Sequence, residues 1–112
     1  MNTMLVVSLF LVPLLTTAGA AADNPLLTEW RTPFGVPPFE EIQNRHFVPA
    51  FKSGISAHQA EISAITANPD EPTFANTVEA LELSGAQLSK VRHVFYGLLS
   101  ARTDDELNEI AK

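Results

Sequence analysis

Three histidines are the residues of this chain best suited to metal binding or proton transfer: His46, His58 and His93. None is followed by glutamate, so the sequence lacks the H-E-x-x-H pattern that places two zinc-binding histidines on one helix face. His46 and His58 are twelve residues apart, which is roughly 18 Å along a helix and too far for a shared metal ion. We therefore predict no catalytic residue, no metal ligand and no cofactor-binding residue in this chain.

His58 allows two interpretations because it lies at the centre of an apolar helical stripe. It could act as a functional base or ligand. The alternative, which the apolar setting favours, is a buried neutral histidine with one nitrogen satisfied by a hydrogen bond.

The acidic residues cluster at 40–41, 70–71 and 104–106. The first two pairs flank predicted helices, and the third suits a helix N-terminus, where the helix dipole favours negative charge. A catalytic carboxylate pair would need one buried member with a raised pKa, and nothing in the pattern indicates that. The sequence also lacks a nucleophile-elbow serine and a glycine-rich phosphate loop.

Trp30, Phe34 and Phe39 form an aromatic group in a proline-rich stretch. They could grip a peptide. The favoured alternative is that they are core contacts of the segment that carries them.

The composition excludes several classes of protein. Seven Lys/Arg against thirteen Asp/Glu give a net charge of −6, with no basic cluster for nucleic acid or an anionic membrane surface. The chain has no cysteine, which excludes disulfides, thiolate nucleophiles and Cys-bound zinc, and argues against a lipid anchor.

Residues 1–22 resemble a signal peptide. The apolar run 4–15 spans twelve residues, whereas a membrane-spanning helix needs roughly twenty. Small residues follow at 16–22, and they predict cleavage between Ala20 and Asp23. This interpretation implies a periplasmic or secreted protein without a membrane anchor after cleavage. The alternative is an uncleaved buried helix.

Residues 23–43 are predicted to form an extended proline-rich arm, since four prolines and Gly35 prevent a regular helix. Its apolar side chains indicate that it lies across a larger surface. The region 44–112 is predicted to be helical.

The first predicted helix covers 45–67. One arc of its helical wheel holds an apolar stripe, comprising Phe47, Phe51, Gly54, Ile55, His58, Ile62 and Ile65. Pro49 is compatible with the first turn, and Asn68 with Pro69 ends the helix.

A second helix is predicted from an N-cap at Thr73 to about Ser100. Its stripe is expected to face a neighbouring helix and comprises Phe74, Val78, Leu81, Leu88, Phe95 and Leu99. Gly85 on this stripe would let a partner backbone approach. A capping box of Thr103 and Glu106 then opens a third helix, whose interruption at Lys112 suggests a truncated chain.

Several collinear motifs carry a family resemblance. They are N-P-L-L at 24–27, T-P-F-G-V-P-P-F at 32–39, H-F-x-P-A-F at 46–51, A-E-I-x-A-I at 60–65, N-P-x-x-P-T-F-x-N-T at 68–77, Ser84-Gly85, and V-F-Y-G-L-L-S-A-x-T-x-D-E-L at 94–107. Together they resemble the N-terminal region of thimet oligopeptidase-like zinc metallopeptidases, in the peptidyl-dipeptidase (dipeptidyl carboxypeptidase) branch.

The resemblance implies an all-α fold, namely the N-terminal helical region of a two-lobed helical metallopeptidase that surrounds a deep channel. It implies a parent enzyme that uses zinc and releases C-terminal dipeptides from short peptides, with this segment walling the substrate channel. The family's zinc ligands, two histidines of H-E-x-x-H and a downstream glutamate, have no counterpart here, so the segment alone is expected to bind no zinc and to be inactive. The alternative is a stand-alone exported helical module that binds peptides or a partner without catalysis.

The isolated segment after residue 22 is expected to be poorly folded. Trp30, Phe34, Phe47, Phe51, Phe74 and Phe95 are large apolar residues for which the covering surface is expected to belong to the missing part of the parent protein.

Overall fold

The computed structural model describes residues 23–102 and 104–112 and contains only helices and irregular segments within them. Four helices follow one another: α1 is Phe47–Thr66, α2 joins the π-wound Phe74–Glu79 to the α-helical Ala80–Leu83, α3 is Ala86–Ala101 and α4 is Asp105–Ile110. The predicted all-α class is therefore confirmed. No helix within the described ranges is long and apolar enough to cross a membrane. The predicted signal peptide lies outside them.

The hydrophobic core forms where α1 packs against α3. Its buried members are Leu26, Phe47, Ala50, Val91, Val94, Phe95 and Leu107. The Phe95 ring meets Phe47 edge-on with centroids 5.1 Å apart and Phe51 at 5.3 Å, an arrangement that adds favourable quadrupole contacts to the burial of apolar area. Phe47 and Phe95, which were expected to need covering from elsewhere, are thus buried within this chain.

A glycine permits the close approach of α1 and α3. A Cβ built on Gly54 would lie 3.0 Å from the Leu88 Cα, which is inside normal contact distance. The apolar arc predicted for α1 is correct at Phe47 and Gly54, whereas Ile55 is 45% exposed and Ala50 is buried in its place. The helix itself begins and ends within two residues of the predicted 45–67.

The segment 23–43 carries two turns and the 3-10 turn Pro33–Gly35. Asn24 anchors its beginning: its buried side chain donates from Nδ2 to the His46 carbonyl at 2.9 Å and accepts from the Leu26 N–H at 3.0 Å. These bonds place the Leu26 side chain in the core. Residues 24–27 are therefore held by the start of α1.

The predicted continuous helix from Thr73 to Ser100 is wrong, because the chain breaks at Ser84 and Gly85. Gly85 has φ +75°, a left-handed conformation that side chains with a Cβ rarely adopt. The Thr73 N-cap is correct, since its hydroxyl accepts from the Asn76 N–H at 3.1 Å. The apolar stripe is buried only beyond the break: Phe95 is 2% exposed, whereas Phe74 is 74% exposed.

The cap of α4 also differs from its prediction. Asp104, and not a capping box begun by Thr103, is the N-cap: its Oδ1 accepts from the N–H groups of Glu106 and Leu107 at 3.0 and 3.1 Å. Thr103 lies outside the described residues. Asp104 also accepts from the Asn44 amide, with the shortest distance 3.1 Å, so it joins α4 to the 3-10 turn Asn44–His46 that precedes α1.

Candidate functional site

An apolar groove lies between the segment 23–43 and α3. It has a volume of about 420 Å³ and is lined by Trp30, Pro37, Phe39, Lys90, His93, Val94, Gly97, Leu98 and Ala101. Ligand sites are commonly concave, mostly apolar and equipped with a few polar groups. The groove has this composition, with Lys90 and His93 as its ionisable groups.

Trp30 is the anchored aromatic wall of the groove. Its indole Nε1 donates to the Pro25 carbonyl at 2.8 Å, so the polar edge of the ring is satisfied while part of its apolar surface packs against the core. The indole is therefore fixed by a hydrogen bond and by packing at once. This arrangement makes the wall a pre-formed feature.

Lys90 reaches across from α3 to the same wall. Its Nζ lies 4.0 Å from the Trp30 ring centroid and donates to the Thr28 carbonyl at 2.6 Å. Burial lowers the pKa of Lys90, and the carboxylate of Glu29 offsets part of this effect. Because a cation over an indole face is attracted by the ring quadrupole, Lys90 ties the segment 23–43 to α3.

Gly97 leaves the α3 side of the groove open. No atom lies within 4 Å of the position that a Cβ would take there. A larger side chain at this position could project into the groove without displacing the core. Gly97 is thus the position at which the groove can be narrowed most simply.

The aromatic group predicted from the sequence separates into different environments. Trp30 packs on the core as expected, and Phe39, although 51% exposed, joins it in the groove wall. Phe34 is fully exposed at 102%, so its predicted role as a core contact is wrong in this structure. It has φ +61° and lies in the 3-10 turn Pro33–Gly35.

The three histidines lie in separate environments. His46 Nδ1 accepts from the Gln43 N–H at 3.1 Å, and burial, with a smaller contribution from Arg45, lowers its pKa. His93 lines the groove. Among residues 23–102 and 104–112, no three His, Asp or Glu side chains come close enough to hold a metal ion.

His58 differs from its favoured interpretation. Its side chain is 37% exposed, and its Nδ1, 3.6 Å from the Glu61 Oε2, is a buried atom without a hydrogen-bond partner in the described part of the chain. The nitrogen that was expected to be satisfied by a hydrogen bond is therefore not Nδ1. The imidazole lies against Gly85, where a Cβ would come within 2.9 Å of Nδ1.

Sequence reasoning found Trp30 and Phe39 but missed Lys90, His93 and Gly97 as groove residues. The contact between Lys90 and Thr28 joins residues sixty-two positions apart. The only signal within the sequence was the isolated Gly97 inside a helical pattern, which often indicates a packing or functional reason.

Zinc does not fit the described residues. Tight zinc binding needs three or four converging nitrogen, oxygen or sulfur ligands. The described histidines do not converge with acidic side chains in such a set. No step of a zinc-dependent reaction is therefore assigned to residues 23–102 or 104–112.

Two curated proteins are similar to this chain over most of its length. The dipeptidyl carboxypeptidase of Escherichia coli strain K12 is 44% identical over 87 residues, which cover 78% of this chain and 13% of that protein. The dipeptidyl carboxypeptidase of Salmonella typhimurium strain LT2 is 44% identical over 89 residues, covering 80% of this chain and 13% of that protein. No protein-family model matches the sequence.

The chain thus spans only about an eighth of the length of these relatives, 13% in each case. An identity of 44% across 87 or more aligned residues agrees with the family that the motifs in 24–107 indicated. This chain is therefore a relative of the dipeptidyl carboxypeptidases across about four fifths of its own residues.

Proposed function

We propose that this chain is part of an exported zinc metallopeptidase that releases C-terminal dipeptides from short peptides. The observation that carries the proposal is the 44% identity to two dipeptidyl carboxypeptidases. In this proposal the zinc ligands and the residues that activate water belong to parts of the enzyme outside the 112 residues. The segment contributes shape, because it walls the channel through which substrates enter.

The groove supports the proposed wall. Its apolar lining and volume of about 420 Å³ suit an apolar side chain of an extended peptide. The Lys90 ammonium contacts the Trp30 ring, so the two sides of the wall are joined without a bound substrate. Pre-formed walls bind at a lower entropic cost than flexible ones.

Export is supported by the pattern of residues 1–22, with a short apolar run followed by small residues. The test is N-terminal sequencing of the exported protein, which should begin between Ala21 and Asp23. An exported product that still begins at Met1 would contradict the signal peptide.

The activity is tested with the complete product of the natural reading frame that contains this sequence. An N-terminally blocked tripeptide and longer peptides are incubated with this protein, and dipeptide release is measured with a chelator, without it, and after zinc is restored. Release should stop with the chelator and return with zinc. The 112-residue chain alone is the matched comparison and should release nothing.

Three results would contradict the proposal. They are a complete protein that is inactive with zinc, chelator-sensitive release by the 112-residue chain alone, and a reading frame that stops after Lys112. The last result would instead favour a stand-alone helical module.

The wall is tested by filling the groove. Gly97→Leu in the complete enzyme should lower kcat/KM for longer peptides more than for the tripeptide, because only longer substrates extend along the channel. Gly97→Ala is the matched control, since it adds one carbon where no atom lies within 4 Å. Equal losses for all substrate lengths would contradict a role in the channel wall.

A further inference from the structure

The helix α2 has an apolar side that no described residue covers. Phe74, Val78 and Leu81 are 74%, 51% and 54% exposed. Phe74 and Val78 are four residues apart, and Val78 and Leu81 are three apart, so each is a neighbour of the next on the helix surface. We call these three residues the α2 apolar side.

The local sequence nevertheless specifies α2 as a helix. Thr73 and Asn76 cap it reciprocally: Asn76 N–H donates to the Thr73 hydroxyl at 3.1 Å, and Thr73 N–H donates to the Asn76 Oδ1 at 2.7 Å. The Asn76 amide also donates to the Glu71 carbonyl at 2.9 Å. Isolated helices shorter than roughly 12–15 residues are marginal in water, and packing of an amphipathic face supplies most of their stability. α2 is shorter than that and has no buried residue.

The direction of α2 is fixed by contacts at its end. The Gly85 N–H donates to the Glu61 Oε2 of α1 at 2.6 Å, and the His58 ring packs against Gly85. The left-handed Gly85 turns the chain between α2 and α3. The apolar side is therefore held in one orientation relative to α1.

We propose that the α2 apolar side is an intramolecular docking surface, covered in the complete protein by an apolar helix from outside these 112 residues. This inference rests on the proposed function, because it needs a longer polypeptide. The relatives indicate how much polypeptide could provide the cover. The chain spans 13% of the length of each, so most of a protein of that length lies outside these residues. When two helices pack, the side-chain ridges of one fit the grooves of the other, and the helix axes lie roughly 8–10 Å apart.

The charge of α2 argues against a second copy of the same chain as the cover. Glu79 and Glu82 are exposed on this helix and Glu71 precedes it, without a lysine or arginine between 71 and 83. Two copies meeting on this helix would bring like charges together, which is unfavourable for association. The docked helix is therefore expected to carry lysine or arginine beside its apolar residues.

Photo-crosslinking of the complete protein tests the docking surface. Benzoylphenylalanine replaces Phe74 in one variant and Glu79, an exposed polar position of the same helix, in the control. Phe74→benzoylphenylalanine should give an intramolecular crosslink to a residue beyond Lys112, located by mass spectrometry, and the Glu79 variant should give much less of it. Crosslinks between two copies, equal crosslinking from both positions, or none from position 74 would each overturn the inference.

Hydroxyl-radical labelling gives an independent measurement on the unmodified complete protein. Phe74 should be labelled several-fold more slowly than in the denatured protein, approaching the protection of Phe95, which is 2% exposed in this structure. Phe74 labelled as fast as in the denatured protein would overturn the inference, and so would a natural product that ends at Lys112.

The peptidase assay on the same protein separates the two proposals. Dipeptide release with an accessible Phe74 would leave the proposed function standing and remove the docking surface. A covered Phe74 in a protein without peptidase activity would do the reverse.

Discussion

Replacement of Gly85 by alanine tests the break between α2 and α3. The residue has φ +75°, and an L-residue with a Cβ loses roughly 1–2 kcal/mol in the left-handed region. The added Cβ would also lie 2.9 Å from the His58 Nδ1 and 3.0 Å from its Cε1. Accommodating such an added atom in a packed site typically costs about 1–3 kcal/mol of folding free energy. We therefore expect Gly85→Ala to lower the free energy of unfolding by about 2–5 kcal/mol.

A double-mutant cycle separates the two contributions. His58→Ala removes the ring that the new Cβ would meet, so Gly85→Ala in that background should cost only the backbone part, roughly 1–2 kcal/mol. Gly35→Ala is the first control: Gly35 has φ +66° with no atom within 4 Å of its Cβ position, so only the backbone cost applies. Gly97→Ala is the second control and should stabilise α3 by about 0.8–1 kcal/mol, because alanine is the better helix former.

The measurement is urea denaturation of the 112-residue chain, followed by the fluorescence of Trp30, the single tryptophan. Because the isolated chain is expected to be poorly folded without the rest of the protein, every titration contains the same concentration of trimethylamine N-oxide, which favours the compact state. Equal costs of Gly85→Ala with and without His58 would refute the contact argument. A cost of Gly85→Ala near zero would refute the left-handed turn itself.

Three further predictions concern the core, the α4 cap and the helix contact. Phe95→Ala should destabilise the chain by about 3–5 kcal/mol, as expected for a buried aromatic residue, whereas Phe74→Ala should change the urea midpoint of the same chain little, since Phe74 is 74% exposed. The Asn44 hydrogen bond, followed by that of the Leu107 N–H, lowers the pKa of Asp104 to about 2 from 3.8. A lowered carboxyl pKa contributes stability that is complete above pH 3.8 and lost as the pH falls towards 2. Asp104→Asn should keep the cap and should remove the loss of unfolding free energy between pH 3.8 and 2. A variant with the same dependence of stability on acid pH as the parent would refute the role of the Asp104 carboxylate. Gly54→Val should destabilise more than Gly54→Ala in the same titration, because both add atoms towards the Leu88 backbone 3.0 Å away; equal stability of both variants and the parent would contradict this close approach.

The parts of the fold that were predicted correctly depend on local signals. The period of apolar residues and the stop at Asn68 and Pro69 place α1 within two residues of its ends, because a helix boundary is decided by neighbours a few positions away. The Thr73 cap is local in the same sense, since its partner Asn76 is three residues ahead.

The break at Gly85 was missed because its cause is not local. A seven-residue repeat through Phe74, Leu88 and Phe95 favours one continuous helix, and a glycine inside it costs only about 1 kcal/mol. The bond that holds the turn comes from Glu61, twenty-four residues earlier. Spacing within 73–100 contains no information about that partner.

The candidate groove was only partly predicted for the same reason, because its contacts join residues that are far apart in the sequence. Trp30 was noticed for its type and Lys90 was not, because their contact arises only when residues 23–43 lie across α3. The predicted family resemblance succeeded where spacing failed, since collinear motifs from 24 to 107 compare whole segments and not single contacts. The resemblance did not predict the environment of Phe34, whose side chain is exposed in this chain.

The two apolar surfaces of this chain differ in construction, and the difference supports different roles. The groove is concave and is built from two segments, with Trp30 fixed by the Pro25 carbonyl and Lys90 fixed by the Thr28 carbonyl. A pre-formed concave site with fixed polar groups suits a small ligand such as a peptide side chain. The α2 apolar side instead belongs to a single helix, with its side chains exposed one above another, which is the form that packs against a second helix. Under the proposed function we expect substrate contact at Trp30, and under the proposed docking of α2 we expect contact with the remainder of the protein at Phe74.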